Sequence, residues 1–134
     1  MPKRSVSLDT VRKIALVLPG VEECLTWGVP TFKVHGKLMA CVPTHRSAEP
    51  GSLVVRVDLD NRAALLAEAP DVYYITDHYA GYTGVLVRLA RVTPDVLRDL
   101  IAMAHKFVVR QAERRLPLQK RPHALSKKTN NSRL

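Results

Sequence analysis

The stretch from residue 27 to residue 42 constrains the fold most, because two runs of alternating apolar and polar side chains flank a His-Gly pair. Alternation with a period of two is typical of β-strands, and a glycine such as Gly36 tolerates the positive φ that a tight turn needs. We therefore predict a β-hairpin that turns at His35 and Gly36.

The register of this hairpin follows from which side chains face one another. A two-residue loop would put Lys33 opposite Leu38 and mix polar with apolar side chains on both faces. A three-residue loop, residues 34–36, instead sets Phe32 opposite Leu38 and Lys33 opposite Lys37. We predict the three-residue loop, which makes the hairpin tip a small basic wing.

Elsewhere the apolar spacing changes between helical and strand periods. Three helices are predicted, at residues 8–18 after Ser7, 61–69 after an Asp60 cap, and 94–108 after a Thr93 cap. Three more strands are predicted at residues 53–57, 72–75 and 85–89. With the hairpin, this α-β-β-β-α-β-β-α order predicts an α+β fold, in which a single antiparallel sheet has helices packed on one face.

The chain of 134 residues is long enough for one domain with its own core. We assign residues 1–116 to that domain and residues 117–134 to a basic, disordered tail, which has prolines, scattered cations and no apolar periodicity. The formal net charge is +9, and residues 111–134 hold most of it, with seven Lys or Arg against one acid. The excess positive charge therefore belongs mainly to the tail and not to the domain.

Several classes of protein are disfavoured by what the sequence lacks. No apolar run reaches the roughly 18 residues of a membrane span, and no secretory leader pattern follows the first residues, so a cytoplasmic location without membrane contact is expected. The two cysteines and five histidines have no metal-ligand spacing, and there is no glycine-rich phosphate loop or nucleophile elbow. We expect a non-enzymatic protein without a metal or cofactor, and favour a monomer.

Ordered motifs occupy the chain between about residues 8 and 110: LPGVEE at 18–23, WGVPTFKV at 27–34, GK at 36–37, LVVRVD at 53–58, YITDHYAGY at 74–82 and VRL at 87–89. Together they resemble the MmcQ/YjbR family of small bacterial proteins. The resemblance implies a CyaY-like α+β fold of the double-wing type. Members are commonly described as DNA-binding, because that fold resembles a double-winged DNA-binding domain.

One functional hypothesis uses the cations. Strand alternation predicts a basic sheet face. This face and the hairpin wing could bind phosphates, and the C-terminal segment could act as a mobile arm. The alternative is that these side chains only keep a sheet face and a chain end soluble. The predicted contacts to DNA or another polyanion, weak and without sequence specificity, are Lys33, Lys37, Arg56, Arg88, Arg114, Arg115, Lys120, Arg121, Lys127 and Lys128.

A second hypothesis uses the loop at residues 73–84, since all four tyrosines fall within ten residues there. Aromatic rings beside a histidine could line a small-ligand pocket or a protein-binding surface. The alternative is that the rings pack the loop against the sheet, because buried tyrosines normally serve packing. The candidate pocket residues are Trp27, Asp77, His78, Tyr79 and Tyr82.

Overall fold

The computed structural model of the protein describes residues 6–114. Residues 1–5 and 115–134 lie outside the described part, and the predicted tail lies there too. So do five of the six cations assigned to the arm, namely Arg115, Lys120, Arg121, Lys127 and Lys128. The sixth, Arg114, is the last residue of the final helix.

The described residues form four helices and six strands. In chain order these are α1 (Leu8–Ala15), β1 (Val21–Thr26), β2 (Val29–Val34), β3 (Lys37–Cys41), β4 (Ser52–Arg56), α2 (Leu59–Glu68), β5 (Tyr73–Tyr74), α3 (Asp77–Ala80), β6 (Gly84–Arg88) and α4 (Pro94–Arg114).

All six strands belong to one antiparallel sheet in the order β1-β2-β3-β4-β6-β5. Helix α4 packs on β3 and β4, α1 packs on α4, and α2 packs on β5 and β6. Apolar side chains of these helices and of one sheet face form a single core. The predicted α+β class with one antiparallel sheet is confirmed. Within residues 6–114 no helix is both long and apolar enough to cross a membrane.

The helix starts follow the capping rules. The Ser7 side chain accepts a hydrogen bond from the Thr10 backbone N–H, and the Thr10 side chain accepts one from the Ser7 backbone N–H, which closes a capping box. At α4 the Thr93 hydroxyl accepts from the Val96 backbone N–H. The prediction that Asp60 caps α2 is wrong, because Asp58 accepts from the Asn61 backbone N–H and the helix begins two residues earlier.

The predicted three-residue hairpin loop is also wrong. The turn has two residues, His35 and Gly36, with φ of 52° and 76°, and Val34 pairs with Lys37. The register then shifts at a β-bulge, so that Phe32 lies opposite Ala40 and Met39 is fully buried. A bulge adds one residue to a strand and changes the direction of its side chains. Lys33 still lies opposite Leu38, but from Phe32 onward the bulge removes the mixing of polar and apolar residues that argued against the short loop.

Strand β1 was not among the predicted strands. All six of its residues pair with β2, from Val21 opposite Val34 to Thr26 opposite Val29. A second two-residue turn joins these strands at Trp27 and Gly28, with φ of 57° and 78°. The sheet therefore begins with a three-stranded meander whose first strand lies at an edge.

The sheet face away from the main helices is not the open basic surface that strand alternation predicted. Thr31, Ser52, Val54 and Leu86 are buried on it. The β3–β4 connection covers part of this face and is linked to the segment around α3 by hydrogen bonds from backbone N–H groups to tyrosine hydroxyls. Little of this face is left exposed at β4 and β6.

Candidate functional site

A small cationic cleft lies where the hairpin tip and the end of β4 meet the last turns of α4. Its volume is about 80 Å³, and it is lined by Lys37, Arg56, Val108 and Gln111. Sites for drug-sized ligands span roughly 300–1,000 Å³. The cleft is therefore suited to a small ion or to one anionic group of a larger partner.

Arg56 is held in a fixed orientation beside this cleft. Its Nε donates to the Thr83 carbonyl oxygen at 2.8 Å and its Nη2 to the Thr83 hydroxyl at 2.9 Å. The guanidinium carbon also lies 5.1 Å from the Tyr82 ring centroid and 5.3 Å from that of Phe107, within cation–π range. None of these contacts neutralises the charge, and no carboxylate of residues 6–114 forms an ion pair with Arg56 or Lys37.

The two lysines of the hairpin are not directly opposite each other. Lys33 lies opposite Leu38 on β3 and opposite Glu22 on β1, whereas Lys37 lies opposite Val34. Opposite charges on facing residues of neighbouring strands are mildly stabilising. The predicted like-charge pair is thus replaced by a Lys33–Glu22 pairing on one side of β2, and Lys37 turns to the cleft.

Arg88 belongs to a different part of the molecule. Its Nε and Nη2 donate to the two Glu49 carboxylate oxygens at 2.9 Å, and its Nη1 donates to the carbonyls of Pro70 and Asp71 at 3.1 Å. Its guanidinium also covers the Tyr74 ring. The hydrogen bonds to Glu49 raise the pKa of Arg88 and lower that of Glu49. The Arg88 guanidinium is therefore already fully engaged.

The four predicted sheet cations consequently do not form one stripe. Arg88 pairs with the first residue of β4, Ser52, and Arg56 is the last residue of that strand. At about 3.3 Å per residue the two positions are roughly 13 Å apart along the strand. Only Lys37 and Arg56 are brought together, at the cleft.

A cluster of rings lies between the β3–β4 connection and α3. The imidazoles of His45 and His78 stack at 3.6 Å between centroids with an angle of 6°, and Tyr79 meets both edge-on. The Tyr79 hydroxyl accepts from the His45 backbone N–H at 3.3 Å. These rings pack against one another.

His45 is held by Ser47. Its Nδ1 accepts from the Ser47 backbone N–H at 3.0 Å and lies 2.8 Å from the Ser47 hydroxyl, which in turn lies 2.9 Å from the Thr76 hydroxyl. Nδ1 is thus an acceptor, so the neutral ring carries its proton on Nε2. Burial lowers the pKa of His45 below 6.5, and the charges of His78 and Arg46 lower it further. Sequence reasoning missed this cluster, because His45 and His78 are 33 positions apart.

The residues of the alternative pocket are only partly brought together. Asp77 and His78 are exposed on α3, and Tyr79 packs on the two histidines. The Tyr82 ring lies against Arg56, and its buried hydroxyl has no hydrogen-bond partner among the described residues. Trp27 is 87% exposed at the β1–β2 turn, at the edge of the sheet farthest from β5 and β6.

Cys41 is not an activated thiol. Burial raises the pKa of Cys41 to about 11, which keeps this thiol protonated at neutral pH. Cys24 is exposed on β1. Within residues 6–114 no group of three or more His, Cys, Asp or Glu side chains is placed to hold a metal ion.

Comparison with known proteins gives a consistent result for the family and the fold. The YjbR family model matches residues 16–107. Uncharacterized proteins Mb2600 of Mycobacterium bovis and Rv2570 of Mycobacterium tuberculosis are each 45% identical to the chain over 84 residues. These residues are 60% of this chain and 62% of each relative, so the match spans less than two thirds of the relatives' length.

A solved structure shows the same fold. The crystal structure of Deinococcus radiodurans protein DR2400, with a DUF419 domain, superposes with a TM-score of 0.68 and 19% sequence identity. The superposition covers 95% of this chain and 90% of that one. At this identity the likeness concerns the fold alone.

Proposed function

The chain belongs to the YjbR family, and from that premise we propose that it is a non-enzymatic protein that binds DNA or a similar polyanion in the bacterial cytoplasm. Binding is weak and independent of base sequence. The C-terminal basic segment supplies most of the attraction, and the cleft at Lys37 and Arg56 supplies a fixed contact beside it.

The separation of charge along the chain is the observation that carries this proposal. Residues 6–114 contain 13 Lys and Arg against 12 Asp and Glu, so the described part is nearly neutral. Residues 115–134 contain six Lys and Arg and no acid. A short segment with one sign of charge attracts phosphates over a Debye length, whereas a balanced surface does not.

The end of α4 joins these two parts of the proposal. Gln111 lines the cleft, and α4 ends three residues later at Arg114. The basic segment therefore begins close to the two cations of the cleft, which have no carboxylate partner within residues 6–114. A backbone phosphate bound at Lys37 and Arg56 would lie near the end of α4, from which the chain continues into the basic segment.

The predicted contacts now have different roles. Lys37 and Arg56 contact phosphate at the cleft, Lys33 contributes from the same hairpin, and Arg114, Arg115, Lys120, Arg121, Lys127 and Lys128 act as the arm. Arg88 is left out, because its donors are used by Glu49 and two backbone carbonyls. Contacts to phosphate position a nucleic acid without reading its sequence, which supports non-specific binding.

The arm is tested by removing its charge without shortening the chain. We expect Lys120, Arg121, Lys127 and Lys128, all changed to Gln, to weaken binding to a labelled duplex in fluorescence anisotropy. The slope of log affinity against log salt should flatten by up to about 3.6, since each phosphate that a cation neutralises contributes about 0.9. The matched control changes four exposed cations of the domain, Lys13, Arg46, Arg91 and Lys106, to Gln. Equal weakening in both variants would reduce the arm to a general charge effect and contradict the proposal.

The hairpin is tested in a chain that ends at Leu116, so that most of the arm is absent. We expect Lys33→Glu with Lys37→Glu to keep the fold and to weaken binding equally for unrelated duplex sequences. The salt slope should flatten by about one for each phosphate that the hairpin no longer neutralises. Lys13→Glu with Lys106→Glu is the control for charge. Identical binding by the shortened wild type and the hairpin variant would show that the hairpin does not touch the duplex.

A further inference from the structure

Strand β1 has a free edge. It pairs with β2 along its six residues and has no other strand beside it in the described part of the chain. A strand of this kind presents a row of unpaired backbone N–H and C=O groups to any other extended chain. Proteins usually protect such edges with proline, lysine or a bulge, and β1 has none of these.

The charges on β1 do not protect it either. The Glu23 carboxylate accepts from Arg12 Nε and Nη2 at 2.7 Å and 2.8 Å, which lowers the pKa of Glu23. Glu22 lies opposite Lys33 across the β1–β2 pairing. Both acids thus have a cation of the same copy nearby, and the edge has little net charge to repel another strand.

Exposed apolar side chains flank both ends of this edge. Leu25 is 71% exposed near the end of β1, and Trp27 follows it at the turn. Leu16 and Val17, 43% and 79% exposed, precede the strand in the α1–β1 connection. These four are among the six large apolar side chains that the described part exposes, so the exposed apolar area is concentrated around β1.

We propose that β1 pairs antiparallel with β1 of a second copy of the chain, about a two-fold axis that passes beside Cys24. Side chains directly opposite each other in an antiparallel pair point to the same face of the sheet. Two copies related by a two-fold axis satisfy this condition only if the pairing is centred on a residue and not between two residues. Centring on Cys24 puts Glu22 opposite Thr26 and Glu23 opposite Leu25 of the other copy. Centring on Glu23 would put two glutamates directly opposite each other, which is destabilising.

The register centred on Cys24 also brings together the exposed apolar side chains at the ends of the two β1 strands. Because the two strands run in opposite directions, Trp27 of each copy lies opposite Val21 of the other, at the end that carries Leu16 and Val17. The backbone groups of both free edges are satisfied at the same time. From the sequence we favoured a monomer. Neither the edge position of β1 nor the exposure of these side chains is visible in the sequence.

Sedimentation equilibrium of the full chain at moderate salt tests the interface. We expect the apparent mass to rise with concentration from 15.0 kDa towards twice that value. Leu25→Lys should keep the mass at the lower value, and circular dichroism should confirm that it is folded. Leu59→Lys is the matched control, because Leu59 is 53% exposed on α2, away from β1. A monomeric wild type at every concentration, or a dimer that Leu25→Lys leaves intact, would overturn the proposal.

Oxidation with diamide tests the register. Two facing Cys24 thiols give one disulfide, and diamide takes up the two hydrogens. We expect rapid covalent dimerisation that Cys24→Ser abolishes and Cys41→Ser retains, since Cys41 lies on β3 and not at the edge. A non-covalent dimer that forms no Cys24 disulfide, or one linked through Cys41, would contradict the pairing centred on Cys24.

Discussion

At one edge of the sheet β5 has only two residues and Tyr73 is buried in the core, whereas at the other edge β1 runs for six residues with exposed side chains. The chain that comes before β5 is held on the neighbouring strand β6, and we call this the closed edge. Arg88 Nη1 donates to the Pro70 and Asp71 carbonyls there, and the Arg88 backbone N–H donates to the Val72 carbonyl. β1 has an arginine contact too, from Arg12 to the Glu23 carboxylate, but Cys24 and Leu25 stay exposed on it.

The difference between the two edges shows which groups of the described residues are not already used in internal contacts. Near β5 and β6, the arginine, histidine and tyrosine side chains that suggested a site are used to hold loops on the sheet. Around β1 and the hairpin tip, backbone groups, Trp27 and Lys37 have no such role within residues 6–114. Residue types that are typical of function are therefore a weaker guide here than whether each side chain already has partners.

The largest expected effect comes from opening the closed edge. Arg88→Ala removes the ion pair with Glu49, two hydrogen bonds to backbone carbonyls and the packing against the Tyr74 ring. We expect the free energy of unfolding to fall by about 1–2 kcal/mol, since the Arg88 side chain is only 27% exposed. Urea denaturation followed by circular dichroism measures it.

The control for this prediction is Arg91→Ala. Arg91 is exposed, three residues farther along the chain, and forms no ion pair within residues 6–114. Its replacement should change stability by less than about 0.5 kcal/mol. If Arg88→Ala costs no more than Arg91→Ala, the closed edge does not depend on Arg88, and the contrast between the two edges is weaker than the contacts suggest.

How much of the fold could be predicted depended on whether the signal was local. The cap at Ser7 and the start of α4 at Pro94 are local, and the structure confirms them. The hairpin register failed because one bulge at Met39 shifts the pairing, and a bulge leaves no clear mark in the alternation. β1 was missed as a full strand because Trp27 is not a residue that signals a turn with positive φ.

The candidate site could be predicted even less. The charge of residues 115–134 can be read directly, and so can the presence of Lys37 and Arg56. Whether an arginine is available depends on partners far along the chain, such as Glu49 for Arg88, 39 positions away. Long-range pairs of that kind arise from topology, which residue types do not encode one by one.

An intermediate effect is expected at the open edge, where Trp27 adopts φ of 57°. A non-glycine residue in this region typically costs about 1 kcal/mol, and Asn tolerates it better than Trp. Trp27→Asn also creates the Asn-Gly pair that such turns prefer. We expect this variant to gain about 0.5–1 kcal/mol in urea denaturation of the dilute monomer. Because Trp27 is exposed, no core packing is removed.

Measurements at low and high protein concentration distinguish backbone strain at Trp27 from its contacts in the proposed dimer. If the β1 dimer forms, the variant should forfeit its advantage at high protein concentration, since the wild type alone packs Trp27 against the second copy. A variant that is less stable than the wild type when dilute would show that Trp27 packs within its own copy. That result would remove the contrast between a strained open edge and a closed one.

The smallest expected effect concerns pH and the closed side of the sheet. The pKa of His45 is lowered in the folded state, so below 6.5 the unfolded chain binds more protons at this residue than the folded one. Its contribution to stability is therefore present above pH 6.5 and is lost as the pH falls towards the folded pKa. Besides burial, the charges of His78 and Arg46 are responsible for the lowered pKa.

The matched variant for this prediction is His45→Asn, which keeps an acceptor for the Ser47 backbone N–H but does not titrate. We expect thermal melts between pH 5 and pH 7 to show a steeper decrease in melting temperature on acidification for the wild type than for this variant. Parallel curves would mean that the stacked histidines hold the β3–β4 connection equally well in either protonation state. The closed side of the sheet would then be insensitive to pH at this point, and its stability would depend on the Arg88 contacts instead.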